Sequence, residues 1–130
     1  MKLYEIVALH SALDEIAKAC AQSPKDFPVL VKLMAAENLR LAAPHVEDFH
    51  KLQIDLLKQN GATEKDGQVS LVESADGYKS FLAEFTKLRE QDANTKFRRI
   101  YESDLGSAPV TINQLVVLQQ CGVVIPNETK

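Results

Sequence analysis

The chain has 130 residues, of which 45% are hydrophobic, and a formal net charge of −3. This length is typical of one domain, so a single domain over residues 1–130 is expected. The acidic balance argues against general binding to duplex nucleic acid, because domains that bind it are usually strongly basic.

The cysteines and the apolar segments of the sequence indicate where in the cell the protein is expected. Cys20 and Cys121 lie far apart and match no metal-binding spacing, so buried free thiols are favoured over a disulfide. Charged residues such as Lys2, Glu5 and Asp14 interrupt the N-terminal apolar residues, so no signal peptide is expected. No run approaches the roughly 18 apolar residues that span a bilayer. A cytoplasmic protein without membrane contact is therefore expected.

The first predicted helix has one apolar stripe. Apolar residues recur at steps of three and four from Ile6 to Cys20. Residues 1–4 are compatible with a short strand or with the first turn of this helix. Ser23 precedes Pro24, and because a residue before proline is disfavoured in the α conformation, the helix is expected to end there.

A second, long helix is predicted over residues 28–57. Asp26 is its candidate N-cap, and Pro28 lies in its first turn. Two apolar half-stripes flank Pro44 and are not quite in phase. Because an interior proline removes a backbone hydrogen bond, a kink at Pro44 is expected, and two separate helices meeting there are the alternative. Gly61 marks the end of the helix.

Two short strands are predicted in the second half of the chain. Residues 68–72 alternate between polar and apolar side chains after an Asp-Gly turn pair, and residues 94–102 alternate again. A two-stranded ribbon is marginally stable by itself. We therefore expect these two segments to pair with each other and to lie on helices.

A third helix is predicted over residues 76–90, with Ser74 as its candidate N-cap. Steps of three, four and three place four large side chains on one face: Tyr78, Phe81, Phe85 and Leu88. Because this apolar face must be covered, the third helix is expected to fold back on the second as an antiparallel hairpin.

A short fourth helix has a detailed start signal. Thr111 and Gln114 have the spacing of a capping box, and Val110 and Leu115 that of a hydrophobic staple. The apolar tail at 123–125 should dock on the rest of the chain. The elements together predict a mainly helical α+β fold, with an antiparallel helical hairpin, a small two-stranded β-ribbon and a short C-terminal helix.

The order of these elements resembles a family of small, mostly uncharacterised proteins encoded by tailed bacteriophages and prophages. The segments that carry the resemblance are FPVLVK at 27–32, LLKQNG at 56–61, EKDG at 64–67, FLAEFTKL at 81–88 and DLGSAPVTINQLVVL at 104–118. Pro44 departs from the uninterrupted long helix of this family. The resemblance implies a phage setting and an accessory role, and it brings no site residues with it.

No catalytic constellation is predicted. Glu47 and His50 form an E-x-x-H motif, but di-iron bundles need two such motifs, and this chain has one. His45 and His50 are five residues apart and do not share a helix face, so a solvated polar face is the favoured interpretation. The serines lack a nucleophile-elbow context, and the five glycines form no phosphate loop. No enzyme activity, metal or cofactor is expected.

One basic cluster is a candidate ligand-binding site. Its residues are Lys96, Arg98, Arg99 and Tyr101. On a strand, Arg99 would share a face with Phe97 and Tyr101, and a guanidinium beside aromatic rings suits a phosphate or a nucleobase. The alternative is an ordinary exposed strand whose arginines pair with Glu102 or with a neighbouring helix.

Two functions are considered. The apolar surplus on the first three helices and in the 123–125 tail favours a non-enzymatic accessory protein that self-associates through its helical hairpin, as an assembly factor or an inhibitor of a host protein. The alternative is an anti-defence protein that sequesters a host nucleotide signal in a pocket between subunits, with the basic cluster as the contacts.

Overall fold

The computed structural model describes residues 1–127 as four helices, two short strand pairs and two 3₁₀ turns. In chain order these are α1 (Leu3–Gln22), a turn at Pro24–Asp26, α2 (Val29–Gln59), β1 (Thr63–Lys65), β2 (Gln68–Ser70), α3 (Tyr78–Arg89), β3 (Ile100–Tyr101), a turn at Glu102–Leu105, α4 (Ile112–Gln120) and β4 (Val124–Ile125). The predicted mainly helical α+β class is confirmed.

Helices α1 and α2 pack against each other as an antiparallel pair. Ile6, near the start of α1, shares a buried cluster with Val46, whereas Leu13 shares a second cluster with Val31 near the start of α2. At 1.5 Å per residue, the 20 residues of α1 span about 30 Å and the 31 residues of α2 about 46 Å. The last part of α2 therefore extends beyond α1.

The start and the continuity of α2 differ from part of the prediction. Pro28 is the N-cap, and Asp26 lies in the preceding 3₁₀ turn, so the assignment of Asp26 as N-cap is wrong. Because Phe27 precedes a proline, it is disfavoured in the α conformation and the helix begins only after Pro28. Pro44 lies inside one continuous helix, so the alternative of two helices meeting there is also wrong.

Strands β1 and β2 form a tight antiparallel hairpin. Thr63 pairs with Ser70, and the two turn residues, Asp66 and Gly67, have φ values of 54° and 78°. Two positive φ values are what a type I′ turn requires. The strand predicted at 68–72 is present as β2, but its predicted pairing with residues 94–102 is wrong, because β1 is available across a two-residue turn at a much lower loop-closure cost.

Helix α3 packs on the part of α2 that extends beyond α1. The rings of Phe49 and Phe85 are 5.6 Å apart, and those of Phe81 and Phe85 are 5.4 Å apart. Phe81 is buried, and Phe85 and Leu88 are half-buried. The predicted contact between the second and third helices is confirmed. We call residues 50–89, which comprise the end of α2, the β1–β2 hairpin and α3, the distal lobe.

The cap of α3 is a glycine rather than the predicted serine. Gly77 is the N-cap, so the assignment of Ser74 is wrong. A Cβ atom on Gly77 would lie 2.0 Å from the carbonyl oxygen of Asn60. The start of α3 therefore approaches the end of α2 more closely than any residue with a side chain permits.

The C-terminal part of the chain returns to the α1–α2 pair. Thr111 and Gln114 form the predicted capping box of α4, with hydrogen bonds of 3.1 and 3.0 Å. Val123 donates its backbone N–H to the carbonyl oxygen of Leu118 and so closes a Schellman motif. Val124, in β4, is buried and pairs in parallel with Ile100 of β3. The predicted docking of the tail is confirmed.

Candidate functional site

The predicted basic cluster lies on a segment that is held by one buried side chain. The Oδ1 atom of Asn38 accepts a 2.7 Å hydrogen bond from the backbone N–H of Arg98, and its Nδ2 donates a 2.9 Å bond to the Arg98 carbonyl. Asn38 is fully buried in α2. Its amide therefore takes the place of a neighbouring strand, which explains why only Ile100 and Tyr101 of the predicted 94–102 strand form a ladder.

Arg98 points away from the other basic residues. Its Nη1 atom lies 3.1 and 3.2 Å from the two carboxylate oxygens of Glu37. Glu37 precedes Asn38 in α2, so one helical turn holds both the backbone and the side chain of Arg98. For this arginine, the alternative of pairing with a neighbouring helix is the one found, and its assignment as a ligand-binding residue is not supported.

Lys96 and Arg99 line a common cavity of about 380 Å³. Both side chains are exposed, and within residues 1–127 neither forms an ion pair. Five other residues complete the lining: Met1, Thr95, Phe97, Cys121 and Gly122. The alternation predicted for a strand at 94–102 would place Lys96 and Arg99 on opposite faces. That placement is wrong, because residues 96–99 are not a regular strand and both basic residues line the same cavity.

Two further polar groups of the cavity have fixed partners. The Thr95 hydroxyl is hydrogen-bonded to the Nε2 atom of His45 on α2. The Cys121 thiol donates a 3.7 Å bond to the carbonyl oxygen of Glu5. Burial, together with the Glu5 carboxylate, raises the pKa of the Cys121 thiol to about 11, so it carries no charge at neutral pH. The same shift makes it a poor nucleophile, because the thiolate is the reactive form.

Tyr101, the fourth predicted site residue, lies outside this cavity. It is half-buried in β3, and its backbone N–H donates a 2.8 Å hydrogen bond to the Asp104 carboxylate. The cavity thus contains two of the four predicted residues. Sequence reasoning did not include Thr95 and Cys121, which have no signal of their own, because only the return of the tail after α4 brings residues 121–122 beside residues 95–99.

The other candidate motifs form no site in the part of the chain that the structure describes. Glu47 and His50 are exposed, and residues 1–127 contain no group of three or more His, Cys, Asp or Glu side chains arranged to hold a metal ion. Both cysteines are free, as predicted, but each is half-buried rather than buried. Over the same residues, none of the helices combines the length and apolar character that crossing a membrane requires.

Comparison with known proteins adds no relative. No protein-family model, curated protein or solved structure matches the chain.

Proposed function

We propose that the chain is a non-enzymatic interaction protein that self-associates through its distal lobe, where α2 and α3 form the helical hairpin. The resemblance of its element order to small tailed-phage proteins suggests the setting. In a phage, we propose, the protein has an accessory role, either as an assembly factor or as an inhibitor of a host protein.

The observation that supports this proposal is the incomplete burial of the distal lobe. Of residues 50–89, only Phe81 is buried, although the lobe contains many large apolar side chains. Four of them are between 41% and 63% exposed: Leu52, Ile54, Val72 and Leu82. Covering apolar surface is worth about 25 cal/mol per Å², so a partner that covers these side chains would stabilise the lobe.

A second copy of the chain suits this surface. The lobe contains six basic residues (Lys51, Lys58, Lys65, Lys79, Lys87 and Arg89) and six acidic residues (Asp55, Glu64, Asp66, Glu73, Asp76 and Glu84), so its net charge is zero. Two copies therefore meet without net repulsion. In a two-fold dimer the same surface contributes from both sides, so exposed apolar side chains of one copy can cover those of the other.

Light scattering tests the proposal. At micromolar concentration, we expect the wild-type chain to have a mass above 14.4 kDa and the double variant Leu52→Glu, Leu82→Glu to have the monomer mass. Ile112→Glu is the control, because Ile112 is 82% exposed on α4, outside the lobe, and its variant should behave like the wild type. A wild-type mass of 14.4 kDa would contradict the proposal.

A second candidate function is sequestration of a host nucleotide signal. The observation that favours it is the cavity that Lys96 and Arg99 share, since phosphates are bound by guanidinium and ammonium groups. Thermal-shift measurements against cyclic nucleotides test this function. We expect a rise in melting temperature that is lost in Arg99→Ala, and no shift with any of these nucleotides would contradict it.

A further inference from the structure

We propose that the cavity between Lys96 and Arg99 binds a phosphate monoester with an apolar or aromatic body, and that one chain is sufficient to bind it. This inference rests on the second candidate function for the location of the site. It goes further by naming the ligand chemistry and by assigning the whole site to one subunit.

The charge of the cavity lining favours a phosphate. Two residues with cationic side chains line one cavity, and within residues 1–127 neither side chain forms an ion pair with a carboxylate. Arg98, the residue between them in the basic run, shows the contrast because it is paired with Glu37. A phosphate dianion would complement both free cations at once, with forked hydrogen bonds from the guanidinium and a point charge from the ammonium.

Two neutral polar groups of the cavity lining, those of Thr95 and Cys121, are also compatible with an anion. When Nε2 of His45 carries a proton, it donates to the Thr95 oxygen, and the hydrogen of the Thr95 hydroxyl is then free to point into the cavity. Cys121 remains a neutral thiol, so it does not repel an anion. In that tautomer the cavity combines two residues with cationic side chains and a hydroxyl donor.

The size and lining of the cavity favour a ligand larger than a free phosphate ion. A volume of about 380 Å³ falls within the range of pockets that hold small organic ligands, roughly 300–1,000 Å³. Met1 and Phe97 add apolar surface to the polar wall. A lone inorganic ion would leave this apolar surface uncovered. A phosphorylated molecule with an apolar or aromatic body would contact both the polar wall and the apolar surface.

Asn38 is a positioning residue for this site. It is not among the residues that line the cavity, and it holds the backbone of Arg98 at both its N–H and its carbonyl. Because the neighbours of Arg98 in sequence are Phe97 and Arg99, this anchor fixes the backbone of the segment on which both line the cavity, while the Arg98 side chain is bonded to Glu37.

Titration with adenosine monophosphate, followed by calorimetry and by NMR, tests the proposal. We expect Arg99→Ala and Lys96→Ala to weaken binding by about tenfold or more, which corresponds to the loss of a charge-assisted hydrogen bond. Arg98→Ala is the matched control, since it removes the same charge one residue away but outside the cavity, and it should change the affinity less than about twofold. Equal losses in all three variants would overturn the proposed site.

Two comparisons define the ligand class, and one defines the number of chains. Adenosine should not bind, and inorganic phosphate should bind more weakly than the monophosphate; the reverse of either result overturns the ligand class.

Binding of the monophosphate should persist in the double variant Leu52→Glu, Leu82→Glu. If it is lost there, the site lies between subunits, which overturns this inference and leaves the second candidate function standing. If cyclic nucleotides bind and the monophosphate does not, this inference is likewise overturned and the second candidate function stands.

Discussion

Asn38 and Arg98 are joined through a side-chain amide that hydrogen-bonds both the N–H and the carbonyl of one backbone position, at 2.7 and 2.9 Å. The two residues are 60 positions apart, and Asn38 is fully buried. A buried amide without partners would be costly. Here it satisfies two backbone groups that no strand reaches, and it fixes the backbone between two residues that line the cavity, Phe97 and Arg99.

Replacing Asn38 with leucine should destabilise the fold strongly. Asn38→Leu removes both hydrogen bonds and leaves two backbone groups of Arg98 without this partner, so we expect the free energy of unfolding to fall by about 2–4 kcal/mol. Urea denaturation measures this value. Glu37→Gln is the control, because it weakens only the partly exposed ion pair and should cost less than about 1 kcal/mol. Equal effects would show that the amide has no special role.

The two phenylalanines of α3 should differ in their contribution to stability. Phe81 is 7% exposed and Phe85 is half-buried, although the sequence pattern treats them alike. We expect Phe81→Ala to cost about 3–5 kcal/mol. For Phe85→Ala we expect a smaller loss, because less of its surface leaves water on folding. Chemical denaturation of both variants measures the difference, and a near-neutral Phe81→Ala would show that the distal lobe is not packed as described.

The caps of α3 and α4 provide a paired test. Thr111 accepts a hydrogen bond from the backbone N–H of Gln114, so Thr111→Ala should cost about 1 kcal/mol. Ser74 precedes the actual cap of α3 by three residues and is exposed, so Ser74→Ala should change stability by less than about 0.5 kcal/mol. Thermal denaturation of the two variants side by side decides the question. A larger loss for Ser74→Ala would contradict the observed start of α3.

Cys121 should make stability depend on pH above neutrality. Burial and the Glu5 carboxylate raise the pKa of its thiol from 9.0 to about 11 in the folded chain. Between these values the unfolded chain loses the proton first, so the free energy of unfolding should fall as the pH rises from 9 to 11, with the full contribution present below pH 9.

Urea denaturation at pH 8, 9, 10 and 11 measures this effect against a Cys121→Ser variant. Serine keeps a donor for the Glu5 carbonyl but does not ionise in this range. The wild-type chain should lose more stability than the variant across the window, because its other titrating groups are shared with the variant. Parallel profiles of the two proteins would contradict the raised pKa.

Elements that depend on near neighbours were predictable from the sequence. The apolar steps of α1, the aromatic face of α3 and the capping box of Thr111 and Gln114 all follow from periodicities and spacings within a few residues. The start of α2 also follows from a local rule, because Phe27 is restricted by the proline after it, although Asp26 was predicted as the cap. The start of α3 was not predictable, because Gly77 lies against the carbonyl of Asn60, a contact that only the fold creates.

The sequence by itself determined which residues are basic and that they occur together at 96–99. Only the tertiary structure decided which of them share a cavity, because that depends on Asn38 and Glu37, about 60 residues away, and on a tail that returns after α4. The physical reason is that side-chain periodicity is a local property. The hydrogen-bond partner of a buried amide, by contrast, can lie anywhere that folding brings it.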